Sequence, residues 1–230
     1  MKQIFLPKYP EISVLVRHSA RARRLSLRIS SLDGKVTLSG PPRVPEKEYL
    51  AFVTAKQDWI AQNLSSMPQQ MAVVQGGQIA IAGQMYAITT GAHRGVRVDD
   101  GVVSVGRAAK STGAAIKGFL KVQARDALAR SSDHYAAQLG VRYSSLVLRD
   151  TRSRWGSCSS QGQLMYSWRL IMAPPEILNY VAAHEVAHLV EMNHSDAFWS
   201  VVRDIYPDYA TARMWLRKRG AELHRYDFDA

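Results

Sequence analysis

A chain of 230 residues with one cysteine excludes a disulfide scaffold, because a single thiol has no intrachain partner and this length buries a core without staples. The 47% hydrophobic, 21% charged composition is that of a globular protein, and neither a bilayer-spanning run of roughly 18 apolar residues nor a signal-peptide pattern is present, which predicts a cytoplasmic protein with no membrane partner. The net charge of +11 is uneven, with +6 on residues 1–60, +4 on 61–140 and +1 on 141–230; a basic front half suits a nucleic acid or nucleotide partner, and solubility explains it equally well.

Ile12–Val16 leads into Arg24–Ser30, where Leu25, Leu27 and Ile29 share one face and Arg24, Ser26, Arg28 and Ser30 the other, the alternation of half-buried strands. Asp33-Gly34 marks a tight turn into Lys35–Leu38, a hairpin signal. Pro45 suits a first helical position and Glu46 and Glu48 the positive helix start. Tyr49, Phe52, Val53, Ile60 and Leu64 then recur at helical spacing and predict one helix over about 45–64. Ile79–Ile81, Tyr86–Ile88 and Val102–Val105 read as small antiparallel strands between glycines. The small, polar run Arg107–Gly113 is the expected boundary between a β-rich region, 1–110, and a second domain, 111–230. Ile116, Phe119, Leu120, Ala124, Leu128, Tyr135 and Leu139 predict one long helix stopped by Gly140. Leu146–Leu148 and Gln163–Trp168 read as strands, and no internal repeat is visible.

Three of the seven histidines fall within His184-Glu185-Val186-Ala187-His188-Leu189-Val190-Glu191-Met192-Asn193-His194. The apolar residues Ile177, Leu178, Val181, Ala182, Ala187, Leu189 and Val190 place this run on a helix opening at Pro174-Pro175. There His184 and His188 stand one turn apart and project from one face. Glu185 lies beside them, within reach of a water but outside the ligand pair, the HExxH arrangement of zinc hydrolases. Seven His and seven Glu in this chain produce that pattern by chance in roughly 0.6% of such sequences. Catalytic zinc needs a third protein ligand and an open position. His194 is the candidate, with Asn193 able to take the left-handed conformation that turns the chain back, and Glu191 is the runner-up.

Arg152-Ser153-Arg154-Trp155-Gly156-Ser157-Cys158-Ser159, then Trp168-Arg169-Leu170-Ile171, Pro174, Tyr180–Leu189, Asn193-His194-Ser195 and Phe198-Trp199 resemble the YgjP-like metallopeptidase domain family. The resemblance is dense over about 145–220 and weaker toward Trp59-Ile60. It implies an α+β fold, a β-rich N-terminal region followed by a zincin-like catalytic domain related to the SprT-like and Wss-like proteases. It also implies one zinc ion on His184, His188 and His194, with Glu185 as catalytic base and a peptide or protein as substrate. In zincins the strand next to the active helix pairs with an extended substrate, and Gln163–Trp168 is expected to be that strand.

Arg152, Arg154 and Arg169 are expected either to orient ligands and bind a substrate carboxylate or phosphate, or to form ion pairs with Asp150 or Glu176. Tyr180, Arg154 and Tyr209 are candidates to stabilise an oxyanion. Cys158 has no histidine at a local spacing that would make it a nucleophile and reads as a small buried residue. The expected function is a zinc-dependent peptidase. The alternatives are a metal-dependent phosphohydrolase acting on nucleotides, and a nucleic-acid-associated protein with a protease-like zinc site.

Overall fold

The computed structural model describes residues 2–30, 34–66 and 69–230. It parts into two compact units, Met1–Gln69 and Gln70–Ala230. The first holds β1 (Lys2–Phe5), β2 (Ser13–His18), β3 (Ser26–Ile29), β4 (Val36–Gly40), α1 (Glu46–Ala55) and α2 (Gln57–Ser65). Its sheet runs β1-β2-β4-β3, with the outer pairs antiparallel and β2–β4 parallel. Val14, Val16, Val36 and Leu38 fill the inner face beneath Tyr49, Val53 and Ile60. The expected pairing of Arg24–Ser30 with Lys35–Leu38 is present, while Asp33 of its turn lies outside the described residues. The helix expected over 45–64 is two helices broken at Lys56. No Gly or Pro breaks it; tertiary anchors on α2 accompany the break. The Gln57 Oε1 accepts from the Lys8 N–H at 3.1 Å, and Asp58 takes the Lys8 ammonium at 2.7 Å and the Tyr9 hydroxyl at 2.8 Å.

The second unit begins with β5 (Met71–Ala72), β6 (Gln78–Ile81), β7 (Gln84–Gly91), β8 (Val96–Asp99) and β9 (Val102–Gly106). The order β6-β7-β9-β8 repeats the strand plan of the first unit, again with a parallel inner pair. The repeat is one of topology, invisible in the sequence, and the parallel β7–β9 pair corrects the expectation of purely antiparallel strands. Ile79, Ile88, Val103 and Val105 join one core with Ile116, Leu120, Ala124 and Leu128 of α3 (Thr112–Leu139). The boundary expected at 110 therefore falls inside this unit, where Arg107–Gly113 is a connection between packed elements. Ser111 caps α3 by accepting from the Ala114 N–H at 3.2 Å, and Gly140 ends it at φ 66°.

β10 (Ser145–Arg149), β11 (Gly156–Cys158) and β12 (Gln163–Ser167) form a sheet of order β10-β12-β11. A 3-10 turn, Trp168–Met172, leads to α4 (Pro175–Ala187), followed by α5 (Asp196–Ile205), α6 (Tyr209–Arg219), a second 3-10 turn and β13 (Tyr226–Asp227). β13 pairs with β5 in parallel. From Ile177 to Ala187 every side chain of α4 but Asn179 and His184 is buried, Leu178, Val181, Ala182, Ala183 and Val186 among them, as expected of a helix covered on most sides.

Candidate metal centre

Pro175 opens α4 at a position where its missing N–H costs nothing. Burial around most of the helix then makes Glu185, 5% exposed, and His188, 7% exposed, polar groups inside an apolar element, which a fold keeps only when something compensates them. The helix stops at Ala187 with His188 as C-cap. The N–H groups of Leu189 and Glu191 return to the carbonyls of Val186 and Ala187. The Ser195 N–H then reaches the Asn193 carbonyl at 2.8 Å, a three-residue turn with His194 at its apex. Among the described residues only Ala82 and Asp100 combine a side chain with positive φ. Asn193 thus does not supply the left-handed step expected of it; the tight turn at His194 reverses the chain instead. Ser195 caps α5 through the Phe198 N–H.

These turns bring ligand atoms of His184, His188 and His194 within 4.8 Å of one another. The Nε2 atoms of His184 and His194 are 3.1 Å apart. Two imidazole nitrogens sharing a tetrahedral zinc at about 2.0–2.1 Å would stand roughly 3.3 Å apart, so the donor set and its spacing fit that ion. His188 Nδ1 lies 3.0 Å from the Glu191 carbonyl. A carbonyl only accepts, so Nδ1 carries the proton and Nε2 keeps its lone pair for a metal. Glu191, the runner-up ligand, thereby contributes its backbone. Burial, then the neighbouring histidines, pushes His184 down to about 3, and burial lowers His188; both are held in the neutral form that a ligand requires. The His184 Nδ1 is buried without a protein partner among the described residues. Phe198 backs all three rings and stacks on His188 at 4.4 Å between centroids.

Burial pushes the Glu185 carboxyl up to about 8, against the pull of Arg154 and the Cys158 N–H. Gly156 is the residue that makes room for it, since a Cβ there would meet Glu185 Oε1 at 2.5 Å and its Cδ at 2.7 Å. Gly156→Ala is therefore expected to displace the carboxylate and lower kcat by about 10²-fold, with metal content unchanged. An unaltered kcat would show that the contact is incidental.

Arg154 and Tyr180 line a cleft of about 230 Å³ with Trp155, Gly156, His184 and Glu185, and the Tyr180 ring lies 5.8 Å from that of His184. Tyr209 instead stacks on Trp199 at 5.3 Å. Arg169 does not line this cleft. Its Nε and Nη2 hold Asp150 at 2.7 and 3.2 Å, and its Nη1 donates to the Leu223 and Tyr226 carbonyls. Arg152 stands near His224, whose ring lies 5.1 Å from that of Trp155. Arg213 lies over the Trp199 ring at 4.8 Å and near His184. The Cys158 thiol is half-buried and pushed up to about 11, first by burial and then by Glu185, so it is no thiolate nucleophile.

Burial and Arg169 push His224 down to about 4 from 6.5. Between those values the unfolded chain takes up a proton that the folded chain does not, so stability is full above about pH 6.5 and declines as pH falls toward 4. His224→Gln is expected to remove that part of the slope of urea midpoint against pH; parallel curves for variant and wild type would exclude His224 as its source.

β12 has β10 on one side and β11 on the other, so the strand expected to receive a substrate has no open edge. The edges are β10 and β11, and it is β11 that carries Gly156 against Glu185. Ser167 N–H donates to Trp155 O, and Ser159 N–H to Gln163 O, so residues 155 and 159 spend backbone groups on β12 and the intervening Gly156 and Cys158 direct theirs outward.

The family model of the YgjP-like metallopeptidase domain matches residues 23–219. No curated protein matches the chain. Among solved structures, the crystal structure of the metallopeptidase zymogen of Pyrococcus abyssi abylysin is similar at a TM-score of 0.35 and 22% identity, covering 39% of this chain and 93% of that one. No helix among the described residues is long and apolar enough to cross a membrane.

Proposed function

Because the chain belongs to the YgjP-like metallopeptidase domain family, we propose that it is a zinc-dependent peptidase in which His184, His188 and His194 hold one ion and Glu185 is the general base. The observation that carries this reading is the convergence of three imidazoles beside one buried carboxylate at the rim of a cleft. When bound, zinc supplies Lewis acidity, polarising the scissile carbonyl and lowering the pKa of water toward about 7. Glu185 takes a proton from the attacking water as its oxygen bonds to the carbonyl carbon. The same carboxyl then gives that proton to the amine nitrogen as the C–N bond breaks, leaving a carboxylate and an amine. A carboxyl whose pKa is raised toward neutrality is suited to both transfers.

The outward backbone groups of Gly156 offer an extended peptide a place to pair along β11. Arg154 and Tyr180 stand where they can face charge on the substrate. The guanidinium of Arg154 also supports the second reading, a phosphohydrolase acting on nucleotides. Zinc-loaded protein assayed against unstructured peptides and nucleoside triphosphates separates the two. Peptide cleavage that is abolished by a chelator and restored by zinc is expected, whereas turnover of triphosphates alone would replace this reading with the second.

A further inference from the structure

The inner face of the β1-β2-β4-β3 sheet is spent on the core, and strand alternation turns Phe5, Arg17, Ser26 and Arg28 to the other side, all exposed. The register sets Arg17, Ser39 and Ser26 in one row and Leu15, Thr37 and Arg28 in the next. Arg21, Arg23 and Arg24 follow in the β2–β3 connection, at the end of the sheet where Arg17 stands, and Arg43 leaves β4 at that same end; each is exposed. No acidic residue occurs between Ile12 and Leu32. None of these six arginines enters an ion pair among the described residues. A face shaped for solubility interleaves both signs; the end of this one that holds the arginines is of a single sign among the described residues. Phe5, 58% exposed, stands on the edge strand of that face. A recess of about 280 Å³ lies at the other end of the sheet from Arg17, lined by Gln3, Glu11, Ser13, Leu15, Lys35 and, from α2, Leu64.

We propose that this face binds single-stranded nucleic acid, the arginines taking successive phosphates and Phe5 stacking on a base. Tyr49, Val53 and Ile60 direct α1 and α2 to the opposite face, so no helix is offered to the groove of a duplex. A flat platform of guanidinium groups with an aromatic ring matches a single strand. The inference does not depend on the peptidase reading, for no residue of 184–194 enters it.

The test is fluorescence anisotropy of a labelled 20-nucleotide oligothymidylate with the full zinc-loaded chain. Four phosphates neutralised predict a loss of affinity of about 50-fold between 50 and 200 mM salt. In the triple variant Arg17→Gln, Arg24→Gln, Arg28→Gln the slope of log affinity against log salt should shrink by about 2, with peptide hydrolysis and thermal midpoint unchanged. The pair Arg217→Gln, Lys218→Gln on α6 should leave binding as it is. Ultraviolet crosslinking of a 4-thiothymidine oligonucleotide to the wild type, which needs no variant to fold, should map to residues 1–69. Crosslinks confined to 141–230, equal losses in both sets of variants, tighter binding of duplex, or binding to phosphatidylserine vesicles without binding to the oligonucleotide would each overturn the proposal.

Discussion

Glu185→Gln is expected to carry as much metal as the wild type and to lose roughly 10²- to 10⁴-fold in kcat, the span that general acid–base catalysis contributes. The amide is the same size as the carboxyl, so it fits the space that Gly156 leaves open, but it can neither take the proton of the attacking water nor return one to the amine. Three imidazoles remain to bind the ion. The fold itself should not suffer. Glu185 is 5% exposed and its ionised form is opposed by burial, so a neutral side chain removes a desolvation cost. The thermal midpoint of the metal-free protein is therefore expected to hold or rise. A purely structural Glu185 would show the reverse, with a lowered midpoint and kcat preserved in whatever remains folded. Metal content, kcat and midpoint measured on one preparation decide between them, and hydrolysis persisting in a metal-loaded, folded variant ends the assignment of Glu185 as base.

The parts of this site that were legible in the sequence are those set by local geometry. A helix fixes its own periodicity, so His184 and His188 on one face, with Glu185 beside them, followed from spacing alone, and Gly140 announced the end of α3 through its left-handed φ. Parts that depend on partners distant in sequence were not legible. Gln163–Trp168 reads as a strand from its own residues, whereas Gly156–Cys158 carries no strand signal, and only the pairing order puts it at an edge of the sheet with Gln163–Ser167 in the middle. Arg154 and Arg169 looked alike, yet Asp150 and two carbonyls claim Arg169, while Arg154 lines the cleft. Residues 70–106 have the glycine-rich look of a separate β region, and their apolar side chains are nevertheless part of the core that α3 completes. Gly156 falls within the Arg152–Ser159 motif, but the reason for a glycine there is the carboxylate of a residue 29 positions away. A close approach of this kind leaves no periodic trace.

His194→Ala should bring metal content from one ion per chain toward zero, and Glu191→Ala should not. His194 is the one candidate ligand beyond α4 and its C-cap His188, placed by the turn that closes between Asn193 and Ser195. Without it, two imidazoles one turn apart on a helix remain, fewer than the three protein ligands of a catalytic zinc site. The loss of affinity should exceed the 10- to 100-fold typical of removing a group that merely orients a ligand. Glu191 bears on the site through its carbonyl, which holds His188 Nδ1, and an alanine keeps that carbonyl. The two variants thus separate the candidate third ligands without relying on activity. Thermal midpoints supply an independent reading. A metal that binds only the folded chain stabilises it by about 2.7 kcal/mol at a concentration 100 times its Kd, so added zinc should raise the midpoint of the wild type and of Glu191→Ala and leave that of His194→Ala in place. His194 is exposed on a turn, and its removal should cost the metal-free fold little; equal midpoints without zinc, diverging when zinc is added, would locate the effect in ligation. If His194→Ala bound zinc as the wild type does while Glu191→Ala did not, the third ligand would be the carboxylate, and the three-imidazole site would have to be redrawn around it.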